Sequence, residues 1–368
     1  MITDFHFKSS LWVPKGLNDC VEVIDQRSLP FKTRIFRIKT LEDACFAIRE
    51  MVVRGAPLIG VTAAYGMYLA LFHSDSRKLE TILKEAQTTL NATRPTAVNL
   101  FAATQRMNES FNPDASQAAN ITGLWGEANL IRQEEIDACR LIGEHGLPLI
   151  EKISRKKKGG PVNILTHCNA GWLACVEWGT ATAPIYLAHQ KGIPVHVWVD
   201  ETRPRNQGAR LTAFELGLAG ISHTVIPDNT GGYLMQRGKV DMIIVGSDRT
   251  TRNGDVANKI GTYLKALAAA DNCVPFYVAL PTSTFDMSMD DGINNIQVEE
   301  RDADEVAYIE GWDGKEMVSV RLIPDNSPVA NYGFDITPAR LVTGLITEKG
   351  ICKADKESIV KLFKEPNF

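Results

Sequence analysis

The chain has 368 residues, 44% hydrophobic and 23% charged, with a formal net charge of −4. That length allows two domains and a core that needs no disulfide or metal, and the mild acidity argues against a nucleic-acid partner, which would show as a basic domain or stripe. Seven scattered cysteines, an odd number with no CxxC pair, argue against a disulfide framework and for free thiols in a reducing compartment, the cytoplasm.

The opening MITDFHFKSS has no basic stretch followed by an apolar core, so no signal peptide is expected. Lys32 to Lys39 alternates in its second part as a half-buried strand does. Thr40, with Asp43 three residues on, opens a helix that should run to about Met51. Arg54-Gly55-Ala56 breaks it, and Pro57 suits the first position of the next helix. The apolar stretch Leu58–Phe72 is too short to span a bilayer and reads as a buried core helix, so no membrane partner is expected. Ala92 to Thr96 is a polar turn opening another helix, and Arg155 to Gly160 (RKKKGG) reads as a solvated connection.

From Pro161 the pattern changes. Apolar runs at Val162–Leu165, Pro194–Val199, His223–Ile226, Val240–Val245 and Val274–Leu280 predict strands. Helices are predicted near Leu173–His189, Ala209–Leu218, Gly232–Arg237 and Lys259–Ala270. Strand and helix alternating at this spacing predict a parallel sheet buried on both faces. The expected class is α/β, with a Rossmann-like domain over residues 151–368 and a smaller, mainly helical domain with short strands over residues 1–150. Ala354–Phe368 should close the chain as an amphipathic helix.

Ligands of open α/β sheets bind beyond the carboxyl ends of the strands. The five predicted strands end in Thr166-His167-Cys168-Asn169, Asp200-Glu201-Thr202-Arg203, Asp228-Asn229-Thr230, Ser247-Asp248-Arg249 and Pro281-Thr282-Ser283-Thr284. A buried sheet ending repeatedly in reactive polar groups predicts a site. Asn169-Ala170-Gly171 can hold an anion on free N–H groups at a helix start, but it is neither GxGxxG nor a Walker sequence, so no nucleotide cofactor is inferred. His167 reads as structural because no second His or Cys stands at ligand spacing, and no metal is expected. His196 and His223 read as core or strand-edge residues. Asp200 and Glu201 point to opposite faces of a strand and make a poor carboxylate pair. Asp228 and Asp255 read as loop supports.

These residues resemble the methylthioribose-1-phosphate isomerase family, within a larger group that includes regulatory subunits of the guanine-exchange factor for initiation factor 2. The resemblance runs from about Ile35 to Lys349. It rests on Arg54-Gly55-Ala56-Pro57, Thr93-Arg94-Pro95-Thr96, Thr166 to Asn169, Thr202 to Gly208, Gly246 to Arg249, Asn253-Gly254-Asp255, Asn258 to Thr262 and Glu299-Glu300-Arg301. It implies an isomerase of aldose 1-phosphates, with methylthioribose 1-phosphate of methionine salvage as substrate, no cofactor, and a homodimer. It further implies that Cys168 and Asp248 are catalytic and that Arg54, Gly55, Ala56, Arg94, Gln207, Asn258 and Lys259 surround the sugar phosphate.

Asp248, at an apolar strand end, would then carry a proton, and Cys168, near a helix start, would be a thiolate candidate for the carbon-centred step. Arg54 and Arg94 would clamp the phosphate with planar guanidinium donors. Regulatory subunits of the group generally lack the cysteine, which this chain keeps. A sister isomerase of ribose 1,5-bisphosphate or 5-deoxyribose 1-phosphate would share the pair and differ around carbon 5. The resemblance departs at Asp228 to Gly232, which bears on that carbon-5 pocket, and at Ser247, where alanine is commoner.

Overall fold

The computed structural model describes residues 9–74 and 78–364. The expectation about a leader therefore falls largely on residues outside the described ones. Three short antiparallel strands open the described chain, β1 (Leu11–Trp12), β2 (Val21–Ile24) and β3 (Ile35–Ile38). Helices α1 (Leu41–Arg49), α2 (Ala56–Phe72), α3 (Leu79–Asn91), α4 (Val98–Glu109) and α5 (Gln117–Lys156) follow.

Thr40 and Asp43 cap α1 reciprocally, Thr40 Oγ1 accepting from the Asp43 N–H and Asp43 Oδ2 from the Thr40 N–H, each at 3.1 Å. α2 begins at Ala56, one residue before the expected Pro57. It is apolar all round because α1, α3, α4 and α5 pack about it. Gly60 lets α4 approach, since a Cβ there would lie 2.9 Å from the Asn99 carbonyl.

The second half alternates strand and helix. It comprises β4 (Val162–Thr166), α6 (Ala183–Gln190), β5 (Val195–Asp200), α7 (Ala213–Leu218), β6 (His223–Ile226), α8 (Thr230–Gln236) and β7 (Met242–Val245). After β8 (Arg249–Thr251) and β9 (Val256–Lys259) come α9 (Thr262–Asp271), β10 (Phe276–Ala279) and β11 (Phe285–Asp286). A hairpin β12 (Tyr308–Trp312) and β13 (Met317–Arg321) precedes β14 (Phe334–Thr337), β15 (Gly344–Thr347) and β16 (Gly350–Cys352). A helix over Lys356–Lys364 closes the described chain, as the amphipathic tail predicts.

The main sheet has seven strands in the order β16-β15-β10-β7-β4-β5-β6, parallel except for β16. The chain builds outward from β4 through β5 to β6, then returns to β7 on the other side of β4. The topological switch therefore lies between β4 and β7, where an open parallel sheet forms its ligand crevice. A second, four-stranded sheet, β11-β8-β9-β14, leaves the end of β7 and folds over that crevice.

Several expectations need correction. Leu173–His189 is not one helix: a 3₁₀ turn covers Trp172–Ala174, and Trp178 (φ 64°) and Gly179 (φ 79°) hold left-handed backbone that interrupts it before α6. Lys259 does not start a helix but ends β9, and Gly261 (φ 101°) separates it from α9. The second sheet, β15 and β16 had no counterpart in the strand prediction. The basic run Arg155 to Gly160 begins inside α5, and Lys157 is tied to Asp241 at 2.5 Å. Among the described residues, no helix is long and apolar enough to cross a membrane.

Candidate active site

All nine residues expected at the site line this one crevice: Arg54, Gly55, Ala56, Arg94, Cys168, Gln207, Asp248, Asn258 and Lys259. Cys168 follows β4 and Asp248 follows β7, so the two stand on opposite sides of the switch point. Leu165 pairs with Ile243, and Thr166 Oγ1 donates to the Ile244 carbonyl at 2.8 Å, which holds the two strand ends in register.

Cys168 is fixed at both backbone groups. Its N–H donates to Thr202 Oγ1 at 2.8 Å, and its carbonyl accepts from Thr212 Oγ1 at 2.7 Å. Its φ of 65° is costly for a side-chain-bearing residue, and such strain persists where surroundings over-determine it. The side chain is 8% exposed. Burial pushes the thiol up, against the opposing pull of the Arg54 and Lys259 charges. The expected helix start is corrected, since only a single 3₁₀ turn follows, and desolvation opposes a thiolate there.

Asp248 is partly open to the crevice, and its N–H donates to the Ala257 carbonyl at 3.0 Å. Burial raises its carboxyl, while Lys259, Arg94 and Arg54 pull the other way. Burial likewise lowers the Lys259 ammonium, with Cys168 and Asp248 opposing. In β9–β14 pairing Lys259 lies opposite Phe334, and its Nζ stands 5.1 Å from the centre of that ring. Met51, Pro57, Ile59 and Phe334 give the crevice an apolar wall.

Arg54 donates through Nη2 to the Asn169 carbonyl at 2.6 Å and through Nη1 to Asn169 Oδ1. Asn169 Nδ2 in turn donates to Glu215 Oε1 and Thr212 Oγ1, each at 3.1 Å, which fixes the amide so that its oxygen faces Arg54. Glu215 also accepts from the Leu173 N–H at 2.8 Å and the Tyr186 hydroxyl at 3.0 Å. Burial pushes its carboxyl up to about 7. Arg94 is 12% exposed and faces Glu299 at 3.5 Å.

Arg94 Nε and Gln207 Oε1 are buried without a hydrogen-bond partner. Orphaned polar atoms at a crevice are what a polar ligand satisfies. Asn169 lines the crevice, as its place after the first predicted strand suggested, whereas Glu215 and Phe334 were not among the expected site residues. A single acid in the apolar run Ala213-Phe214-Glu215-Leu216 was the available signal for Glu215.

Of the other residues singled out, His167 is buried in the lining of the crevice, Asp200 is buried against its ring, and Asp228 accepts from the N–H groups of Thr202 and Arg203 at 2.7 and 2.8 Å. Asp255 accepts from the N–H groups of Gly292 and Ala339 at 3.0 and 2.9 Å, a loop support as read. His196 and His223 lie on β5 and β6. Asp228 to Gly232 is not among the crevice-lining residues, so its departure from the family pattern does not bear on a carbon-5 pocket there.

A model of the initiation factor 2 subunit family matches residues 52–354. The chain is similar to the methylthioribose-1-phosphate isomerase of Desulfatibacillum aliphaticivorans, 55% identical over 97% of both chains. It is similar to that of Methylorubrum populi, 57% identical over 96% of this chain and 95% of the other. Among solved structures, 5-methylthioribose 1-phosphate isomerase from Pyrococcus horikoshii OT3 superposes with a TM-score of 0.83 at 36% identity, covering 98% of this chain and 96% of that one. The translation initiation factor eIF-2B subunit delta from A. fulgidus gives 0.78, also at 36% identity, covering 97% and 99%. The chain belongs to the initiation factor 2 subunit family, in which its full-length relatives at 55–57% identity are methylthioribose-1-phosphate isomerases.

Proposed function

We propose that this chain is an isomerase that converts 5-methylthioribose 1-phosphate to the corresponding ribulose 1-phosphate in methionine salvage, acting as a cytoplasmic homodimer. Named isomerases over nearly the full length support the reaction. The observation that carries it in the fold is the Cys168 thiol and the Asp248 carboxyl entering one crevice across the sheet's switch point. Seven free cysteines fit a reducing compartment.

The anomeric oxygen of an aldose 1-phosphate is esterified, so the ring cannot open as a free hemiacetal does. In our reading Asp248, whose carboxyl burial pushes up, donates a proton to the ring oxygen as the bond from carbon 1 to that oxygen breaks. Hydrogen then passes from carbon 2 to carbon 1. The carbon-2 hydroxyl returns its proton to Asp248 as the ketone forms, so the carboxyl is restored and the phosphate ester stays intact.

A thiolate at Cys168 would carry that hydrogen as a proton. A neutral thiol would instead stand beside a direct hydride shift, and burial pushes the thiol up. Arg54, Arg94 and Lys259 supply positive charge for the phosphate, with Gly55, Ala56, Gln207 and Asn258 as further contacts. The apolar wall at Met51, Pro57, Ile59 and Phe334 suits a methylthio group better than a second phosphate.

The test is turnover of methylthioribose 1-phosphate, 5-deoxyribose 1-phosphate and ribose 1,5-bisphosphate by purified protein, followed by NMR. The first should be preferred, and Cys168→Ser and Asp248→Asn should each lower kcat by about 10²–10⁴ with circular dichroism unchanged. Full turnover by either variant removes that residue from the chemistry, and a preference for the bisphosphate removes the substrate. With deuterium at carbon 2, label retained on carbon 1 supports the hydride route, and label lost to water supports proton transfer. Light scattering checks the dimer.

A further inference from the structure

We infer that His167 is a positioning residue: a ring protonated on both nitrogens, it locks the Cys168 side of the crevice to the Lys259 side. The inference rests on the isomerase reading only for its kinetic consequence.

His167 is 1% exposed. Its Nδ1 lies 2.9 Å from Asp200 Oδ2 and its Nε2 lies 2.8 Å from the Ile260 carbonyl oxygen. A carbonyl oxygen only accepts, so Nε2 must donate. Asp200 Oδ2 also faces Lys265 Nζ at 3.2 Å, as a carboxylate between two donors does. A neutral imidazole has one N–H, and satisfying both neighbours takes two.

The surroundings balance that charge. Asp200 is fully buried, and Asp335, which accepts from the N–H groups of Gly261 and Tyr263 at 2.7 and 3.1 Å, lies in the field of both His167 and Lys265. Asp200, Asp335 and Asp228 therefore stand around the imidazolium and the Lys265 ammonium. His167, Asp200 and Asp228 also bring ligand-type atoms within 4.8 Å of one another, as a metal site would. Lys265 Nζ already stands among them, 2.5 Å from the Asp228 carbonyl oxygen, so the cation of this cluster belongs to the chain itself.

The ring joins three segments far apart in sequence. It sits next to Cys168 at the end of β4, binds the last residue of β5, and binds the residue that follows Lys259 of β9. A Cβ on Gly261 would come within 3.1 Å of the ring's Cε1, so the turn after Lys259 is packed directly on it. Loss of the ring frees that turn, and with it Asn258 and Lys259, to drift from Cys168.

The full-length protein labelled with ¹⁵N-histidine gives the first readout. Two one-bond N–H couplings on the ring that disappears in His167→Gln are expected; a bare nitrogen on that ring overturns the inference. Kinetics give the second. A folded His167→Gln should lose about 100-fold in kcat, the cost of about 1 Å of misplacement, and KM should rise with it, because Asn258 and Lys259 are freed with the turn.

Asp200→Asn, which keeps the shape but cannot hold two cations, should shift the same ring signals and lower kcat in the same way, so the inference stays testable if His167→Gln fails to fold. Wild-type kcat in either folded variant overturns it. Absence of turnover by the wild type refutes the isomerase reading alone, because the ring signals need no substrate.

Discussion

Gly55→Ala probes the join between the helical half and the crevice. Gly55 has φ 93° and ψ 136°, backbone that L side chains rarely adopt, and a Cβ there would fall 2.4 Å from the Ala174 carbonyl oxygen and 2.6 Å from Ala174 Cα and Cβ. Backbone strain of this kind costs about 1–3 kcal/mol. Overpacking against rigid main chain costs a further ~1–3 kcal/mol. The variant should therefore be less stable by about 2–6 kcal/mol. With an unfolding entropy near 2.1 cal/mol/K per residue, that lowers the thermal midpoint of a 368-residue chain by about 3–8 °C.

Relief of the clash must separate Gly55 from the Trp172–Ala174 turn. The preceding Arg54 is bonded to Asn169, on the same side as that turn, so the guanidinium should lose its register as well. Calorimetry would read the midpoint, and steady-state kinetics would read a KM for the sugar phosphate raised by about tenfold. A Gly55→Ala protein with the wild-type midpoint and KM would refute the reasoning.

Glu215→Gln should show a pH-dependent gain. The folded carboxyl titrates at about 7 against an ordinary 4.5. As pH rises between those values the unfolded chain releases its proton first, so the wild type loses stability, by up to about 3 kcal/mol. Glutamine keeps an oxygen for Asn169 and Leu173 and cannot titrate. Its thermal midpoint relative to wild type should therefore climb from about pH 4.5 to about pH 7, and a flat difference would count against the assignment. Arg54→Lys should raise KM, and the dissociation constant for inorganic phosphate, by about tenfold, because one ammonium cannot face Asn169 and an anion as a planar fork does. Unchanged phosphate binding in that variant would take Arg54 out of the clamp.

Much of this site could be read one residue at a time. Thr40 with Asp43, the apolar Leu58–Phe72 helix and the strand at His223–Ile226 obey local rules, since caps, periodicity and β-branched runs act over a few residues. Polar groups after β4 and β7 marked the crevice for the same reason, whereas those after β5 and β6 lie outside its lining. Strand order obeys no such local rule. Nothing near Cys168 announces that β4 will neighbour β7, or that a second sheet will leave β7 and carry Lys259 over the opening.

The places of Cys168 and Asp248 after their strands were thus set by the sequence alone, because a strand end and a helix cap are short-range facts, whereas Lys259 at the end of β9 was not. The tertiary structure decided the burial that pushes Cys168 and Asp248 up, the Arg54–Asn169–Glu215 chain and the partners of His167. Desolvation and charge pairing depend on what the rest of the chain packs around a group, and those neighbours come from segments tens to hundreds of residues away.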